Sequence, residues 1–246
     1  MTTKKDENYR FIHKNVLFQF ASFLLFTLAI LILPLLNLLN YNIRIYGKHK
    51  LKKINSGAVI CPTHNVALDC AITSAQICFP KRLAYIVTTD RNVHLPIIGV
   101  LIQLLRGIGI PTKLNAKKEF FATIHTLLKI NKWVVIYPEG DLISFKKELA
   151  PFKRGAFVIA SEANVPIVPI VYTYTKPHGI FAVLKKKPFI TGYILDPIYP
   201  DMTLSETERP KAMALKCETL MRRTFEEKNE IYYTPSKHSF RIENIC

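Results

Sequence analysis

Apolar residues in this chain follow two rhythms. The first is one unbroken block: no charged residue occurs from Asn15 to Ile43, and Val16–Leu39 is dominated by Leu, Phe, Ile and Ala. A helix of that length spans about 30 Å of hydrocarbon, so the block predicts an N-terminal membrane-embedded helical segment. Pro34 either kinks a spanning helix or divides the stretch into two shorter helices lying in one leaflet. The run is too long for a cleaved leader and lacks a small-residue cleavage site. Basic residues flank both sides, Lys4, Lys5, Arg10 and Lys14 before it and Arg44, Lys48, Lys50, Lys52 and Lys53 after it, so their count does not set an orientation.

The second rhythm begins after residue 43, where short apolar runs alternate with helical patterns. Ala58–Cys61, Ala84–Thr88, Trp133–Tyr137, Ile167–Tyr174 and Phe189–Leu195 read as strands, most too continuously apolar to have a wet face. Ala67–Ile77, Ile97–Arg106, Lys117–Ile130 and Gly155–Ala163 read as helices, the third with Phe120, Ile124, Leu127 and Leu128 at helical spacing and Asn115 as its cap. Residues 202–230 read as a last amphipathic helix carrying Leu215, Leu220, Met221 and Phe225. Alternation of this kind predicts an α/β fold with a mostly parallel sheet flanked by helices. The chain divides into a tail and hydrophobic anchor over 1–43, one folded domain over 44–230 and a polar tail over 231–246.

Charge narrows the partners without choosing one. The net charge is +16, and residues 44–187 hold 22 Lys and Arg against 7 Asp and Glu, so the excess sits on the folded body. Such a field favours a membrane surface or a phosphorylated ligand. Nucleic acid would call for aromatic platforms or a reading helix, and the sequence has neither pattern. Cys61, Cys70, Cys78, Cys217 and Cys246 form an odd set without a C-x-x-C pair or histidines at zinc spacing, which predicts inert thiols and no metal site.

In a sheet of this class, ligands sit beyond the carboxyl ends of the strands, so polar residues that end apolar runs are the ones to inspect. In Cys61-Pro62-Thr63-His64-Asn65-Val66-Ala67-Leu68-Asp69 a strand stops at a proline, with a histidine next and a carboxylate five residues on. The two side chains converge if His64 lies in the loop and Asp69 in the first helical turn. A neutral imidazole there can take a proton from a hydroxyl while the carboxylate orients it. Taken alone, the pair reads more readily as a loop histidine and a helix-start aspartate that favours the helix dipole. The strand Trp133–Tyr137 ends in Pro138-Glu139-Gly140, which puts Glu139 at the crevice beside a bare backbone. In Val165-Pro166-Ile167-Val168-Pro169-Ile170 the prolines remove ladder donors and predict an edge strand or a shaped wall.

The order and spacing of these pieces resemble the glycerolipid acyltransferase family that includes the 1-acyl-glycerol-3-phosphate acyltransferases. The likeness covers roughly residues 45–200. His64…Asp69 matches the H-x-x-x-x-D block, Gly107-Ile108-Gly109-Ile110-Pro111-Thr112-Lys113 a glycine-and-basic block, Tyr137-Pro138-Glu139-Gly140 the Pro-Glu-Gly block, and Val165…Pro169 the last block. The resemblance implies transfer of a fatty acyl group from a thioester, acyl-CoA or acyl carrier protein, to a hydroxyl of a lysophospholipid such as 1-acyl-glycerol-3-phosphate. His64 would be the general base, Asp69 its orienting partner, and Glu139 with Gly140 part of the acceptor site. No cofactor is implied. Membrane lipids are the expected surroundings, with the active site on the cytoplasmic face. Three positions depart from the family pattern. Thr63 replaces the usual asparagine, Lys113 stands where the second block usually ends in arginine, and Asp141-Leu142-Ile143-Ser144 replaces Thr-Arg-Ser. Arg106, Lys153 and Arg154 are further candidates to meet an acceptor phosphate. The competing reading is a non-catalytic protein that binds anionic membrane lipids.

Overall fold

The computed structural model of the chain describes residues 11–13, 15–39, 43–64, 73, 77, 84–142, 148–177, 179 and 188–229. Asp69, the expected helix over Ala67–Ile77 apart from residues 73 and 77, Cys70, Cys78 and the tail over 231–246 lie outside them. Among the described residues seven strands form one sheet: β1 (Arg44–Tyr46), β2 (Ala58–Pro62), β3 (Tyr85–Thr89), β4 (Gly107–Ile110), β5 (Trp133–Val135), β6 (Ile167–Thr175) and β7 (Phe189–Ile194). Their order is β1-β7-β6-β2-β5-β3-β4, and every neighbouring pair is parallel except β6 with β7. The helices are α1 (Val16–Leu39), the short α2 (Asp90–Val93), α3 (Ile98–Leu104), α4 (Leu114–Lys129), α5 (Gly155–Glu162) and α6 (Arg209–Lys228).

Burial follows from composition. Every residue of β2 and β5 is buried, as the continuous apolar runs require of strands covered on both faces. On α4, Phe120, Ile124, Leu127 and Leu128 are buried, the stripe the 3.6-residue period predicts. Asn115 does not cap this helix: the cap position is Lys113, whose side chain makes no capping hydrogen bond, and Asn115 lies inside the first turn. On α6, Met213, Cys217, Met221 and Phe225 are buried one helical turn apart, whereas Leu215 is exposed on the opposite face.

Three local expectations change. Pro169 lies in β6, an interior strand between β7 and β2. The β2 side of β6 is served by the carbonyls of Pro166 and Ile170, which accept from Val59 and Thr63. Pro169 faces the other way, where its carbonyl accepts from the Leu195 N–H; the donor it lacks falls at the end of the β6–β7 ladder, whose antiparallel pairing begins only at Ile170, so the interior of the sheet is not interrupted. The glycine block is itself a strand, β4. A Cβ at Gly107 would collide with Ile102 and one at Gly109 with Val93, so the glycines let α2 and α3 press onto the sheet edge.

The third change concerns the anchor. α1 is the expected apolar helix, with Ser22 and Phe26 buried and the Ser22 hydroxyl donating to the Leu104 carbonyl of α3 at 2.6 Å. Val16, Leu17, Phe20, Phe23, Leu24 and Leu28 are exposed on its outer side. The side chains of α1 are described only as far as Ile32, and among the described residues no helix is long and apolar enough to cross a membrane. The structure therefore supports an exposed apolar helix leaning on α3 and does not support a span.

Candidate functional site

β2 and β5 are adjacent and in register, Ile60 level with Val135, so the residues four beyond each level meet. These are His64 and Glu139, each within a chain that has just left its strand. Both are 2% exposed. The His64 backbone N–H donates to Glu139 Oε1 at 3.2 Å, and the Ala150 N–H donates to Oε2 at 2.9 Å. Glu139 thus holds two loops by their backbones, one to each oxygen. The His64 ring stacks on Tyr137, centroids 4.0 Å apart at 28°, which fixes the imidazole plane. Thr63 anchors the same turn from below, its N–H donating to the Ile170 carbonyl and its hydroxyl accepting the Tyr172 N–H, both at 2.9 Å. The Tyr172 hydroxyl in turn shares a 2.7 Å hydrogen bond with Thr73.

Gly140 has φ 80°, the left-handed region in which a side chain is strained. Its N–H donates to the Tyr137 carbonyl at 3.1 Å, so the turn itself takes up the amide that the sequence pattern offers to a ligand. What the glycine gives is space: a Cβ would collide with the Lys153 side chain, which lies across it. Lys153 is further tied by its N–H to the Pro138 carbonyl at 2.7 Å and by its ammonium to Asp141 at 3.5 Å, both side chains well exposed. Arg154 is exposed at the start of α5.

The basic candidates separate. Gly107 is level with Ile86, Ile86 with Val135, and Val135 with Ile60. Arg106 is one residue before that level and His64 four beyond it, which puts them about 16 Å apart along the strands and about 14 Å across three of them. Arg106 therefore stands at the amino end of the sheet. Its guanidinium lies 6.0 Å from the Phe26 ring centroid and 5.3 Å from that of Tyr85, and among the described residues Nε has no hydrogen-bond partner. Burial lowers its pKa. Lys113, three residues beyond Ile110, stands at the same carboxyl end as His64.

Cys61 is fully buried in β2 and burial pushes its thiol well up; Cys217 on α6 is buried and shifted the same way. These two thiols are core residues, as expected. Among the described residues no three His, Cys, Asp or Glu side chains are placed to hold a metal. Sequence reasoning missed that Glu139 bonds backbone on both oxygens, and missed Arg222 of α6, whose Nη1 donates to the Leu149 carbonyl at 2.7 Å beside the Ala150 N–H that Glu139 holds. The one available signal for Arg222 was a basic residue beside the buried Met221.

A family model described as Acyltransferase matches residues 42–173, just over half of the chain. A putative 1-acyl-sn-glycerol-3-phosphate acyltransferase of Caenorhabditis elegans is 32% identical over 165 residues, 66% of this chain and 60% of that protein. The 1-acyl-sn-glycerol-3-phosphate acyltransferase beta of Homo sapiens is 39% identical over 103 residues, 40% of this chain and 35% of its own length. The chain thus spans less than two thirds of either relative. A crystal structure of the 1-acyl-sn-glycerophosphate (LPA) acyltransferase PlsC from Thermotoga maritima matches with a TM-score of 0.57, over 88% of this chain and 80% of that one. At 17% identity this likeness concerns the fold alone.

Proposed function

The chain belongs to the acyltransferase family, and from that premise we propose that it moves a fatty acyl group from a thioester to the free hydroxyl of a lysophospholipid at a membrane surface. The observation that carries the reading is the placement of His64: at the carboxyl end of the central strand β2, its backbone held by Glu139 and its ring flat on Tyr137. In the proposed reaction the His64 imidazole takes the proton of the acceptor hydroxyl as its oxygen attacks the thioester carbonyl. The carbon–sulfur bond then breaks, and the departing thiolate recovers the proton from the imidazolium. Asp69 is proposed to orient the ring. Glu139 is proposed to act as a positioning residue, since both its oxygens bond backbone N–H groups. The donor is acyl-CoA or acyl carrier protein, and neither a metal nor an organic cofactor enters the step, because a thioester is already activated.

For the acceptor we propose a phosphate-bearing lysolipid such as 1-acyl-glycerol-3-phosphate, the substrate named for the two acyltransferase relatives. Lys113 supports this from the carboxyl end of β4. Lys153, laid across Gly140 next to Glu139, supports it from the other side as a point charge in place of a forked arginine. The exposed apolar side of α1, together with Ile97, Val100 and Leu101 around α3, is proposed to sit in the membrane, with the site on its cytoplasmic face. The alternative of a non-catalytic binder of anionic lipids leaves unexplained why a buried carboxylate would be committed to the His64 loop. Incubating the purified chain with labelled acyl-CoA or acyl carrier protein and a panel of lysolipids tests the reading. Transfer is expected to be fastest to lysophosphatidate, and no transfer from either donor to any lysolipid would refute it.

A further inference from the structure

Arg222 lies on α6, outside the stretch that the family model matches, and it touches the peptide that Glu139 touches. The contact begins with a fixed helix: Met213, Cys217, Met221 and Phe225 bury one face of α6, and Arg222 follows Met221. The guanidinium is aimed from its own helix by Glu218, one turn earlier, whose Oε1 accepts from Nε at 3.0 Å and from Nη2 at 2.7 Å. From there Nη1 donates to the Leu149 carbonyl at 2.7 Å and Nη2 to that of Ala150 at 3.4 Å.

The Leu149 carbonyl and the Ala150 N–H are the two ends of one peptide group. Arg222 holds its oxygen and Glu139 Oε2 holds its hydrogen at 2.9 Å. A peptide dipole is thereby suspended between a cation and a carboxylate, in the sense that polarises the N–H and strengthens its bond to Glu139. The other oxygen of that carboxylate accepts the His64 N–H at 3.2 Å. Removing the cation takes away the hold on the peptide oxygen and weakens the N–H bond that fixes one oxygen of Glu139.

We infer that Arg222 is a positioning residue for acyl transfer, setting the backbone of His64 through the Leu149–Ala150 peptide and Glu139. The inference rests on the acyl-transfer reading proposed above. Its competitor is a plain staple between α6 and the loop, which would affect stability and leave the chemistry alone.

The test uses the full chain in detergent micelles with acyl-CoA and 1-acyl-glycerol-3-phosphate, comparing Arg222→Gln, Arg222→Lys and, as control, Arg223→Gln on the same helix, whose partner is the exposed Glu227. Arg222→Gln is expected to lower kcat about 10- to 100-fold, as misplacement of a catalytic group does, with each KM within about 3-fold of the parent. Arg222→Lys should recover part of that loss, and Arg223→Gln should match the parent. The double variant Glu139→Gln with Arg222→Gln should be no slower than Glu139→Gln alone, because both act through one chain of bonds. Parental kcat in Arg222→Gln, or losses that multiply in the double variant, would overturn the inference. Hydrogen exchange of the His64 and Ala150 amides gives a readout independent of turnover: both should exchange at least about tenfold faster in Arg222→Gln, and unchanged exchange would overturn the inference. If the parent transfers no acyl group, the proposed function fails by itself, and the exchange result still decides whether Arg222 sets the His64 backbone through Glu139.

Discussion

Replacing Glu139 by glutamine keeps the volume and removes the charge, and its effect can be worked from the structure. The carboxylate is buried and accepts the N–H of His64 on one oxygen and that of Ala150 on the other. Glutamine offers one oxygen, and its amide group turns donors toward the second N–H. One buried backbone donor is therefore left without an acceptor, and the remaining bond loses its charge assistance. The first change costs about 1–3 kcal/mol and the second about 1 kcal/mol, or about 3 kcal/mol together. For a chain of this size each kcal/mol moves Tm by about 2–4 °C, so Tm should fall by about 6–12 °C. Because the freed donor belongs to the His64 loop or to its neighbour, kcat should fall about 10- to 100-fold as well. Thermal unfolding followed by circular dichroism, with turnover measured well below the transition, reads both quantities. A variant with parental Tm and parental kcat would refute the placement of Glu139 as the clamp between the two loops.

Further outcomes follow from the same geometry. Lys113→Ala should raise KM for lysophosphatidate about tenfold, the worth of one charged contact, while Arg106→Ala at the far end of the sheet should leave that KM within about twofold; a larger effect from Arg106 would contradict the register argument. Burial raises the pKa of Cys61 and Cys217, so both should resist alkylation at pH 8 in the folded chain and react once it is unfolded, as read by peptide mass spectrometry. The same shift has a sign for stability. The folded chain keeps two thiol protons that the unfolded chain releases above about pH 8.5, so this contribution is intact below that pH and is lost progressively above it. A urea midpoint that rises between pH 8 and 10 in the parent, relative to Cys61→Ala, would contradict it.

Much of the sheet was legible because a strand covered on both faces must be apolar throughout. β2, β5, β6 and β7 follow their runs to within a residue or two. β4 was hidden by the glycines that admit α2 and α3, and β1 by being three residues long with exposed ends. Pro169 was misplaced to an edge because a proline reveals a missing donor but not the side on which it is missing. The start of α6 was set too early, since Pro210 rather than the amphipathic pattern marks its first turn. In the site, the meeting of His64 with Glu139 was within reach of strand-end reasoning once β2 and β5 are taken as neighbours. The role of Glu139 was not, because its described partners are backbone groups, which leave no signature in side-chain identity. For the same reason Arg222 was silent: it binds carbonyls more than seventy residues away in sequence.

His64 is proposed to carry the proton in acyl transfer. That role is tested most directly by a single-turnover measurement with excess enzyme, labelled acyl-CoA and lysophosphatidate, comparing the parent with His64→Ala while vesicle binding is followed in parallel. Product formation in the variant should drop by at least about a thousandfold, the scale of general-base catalysis, with vesicle binding unchanged. Equal product formation by the two proteins would contradict it.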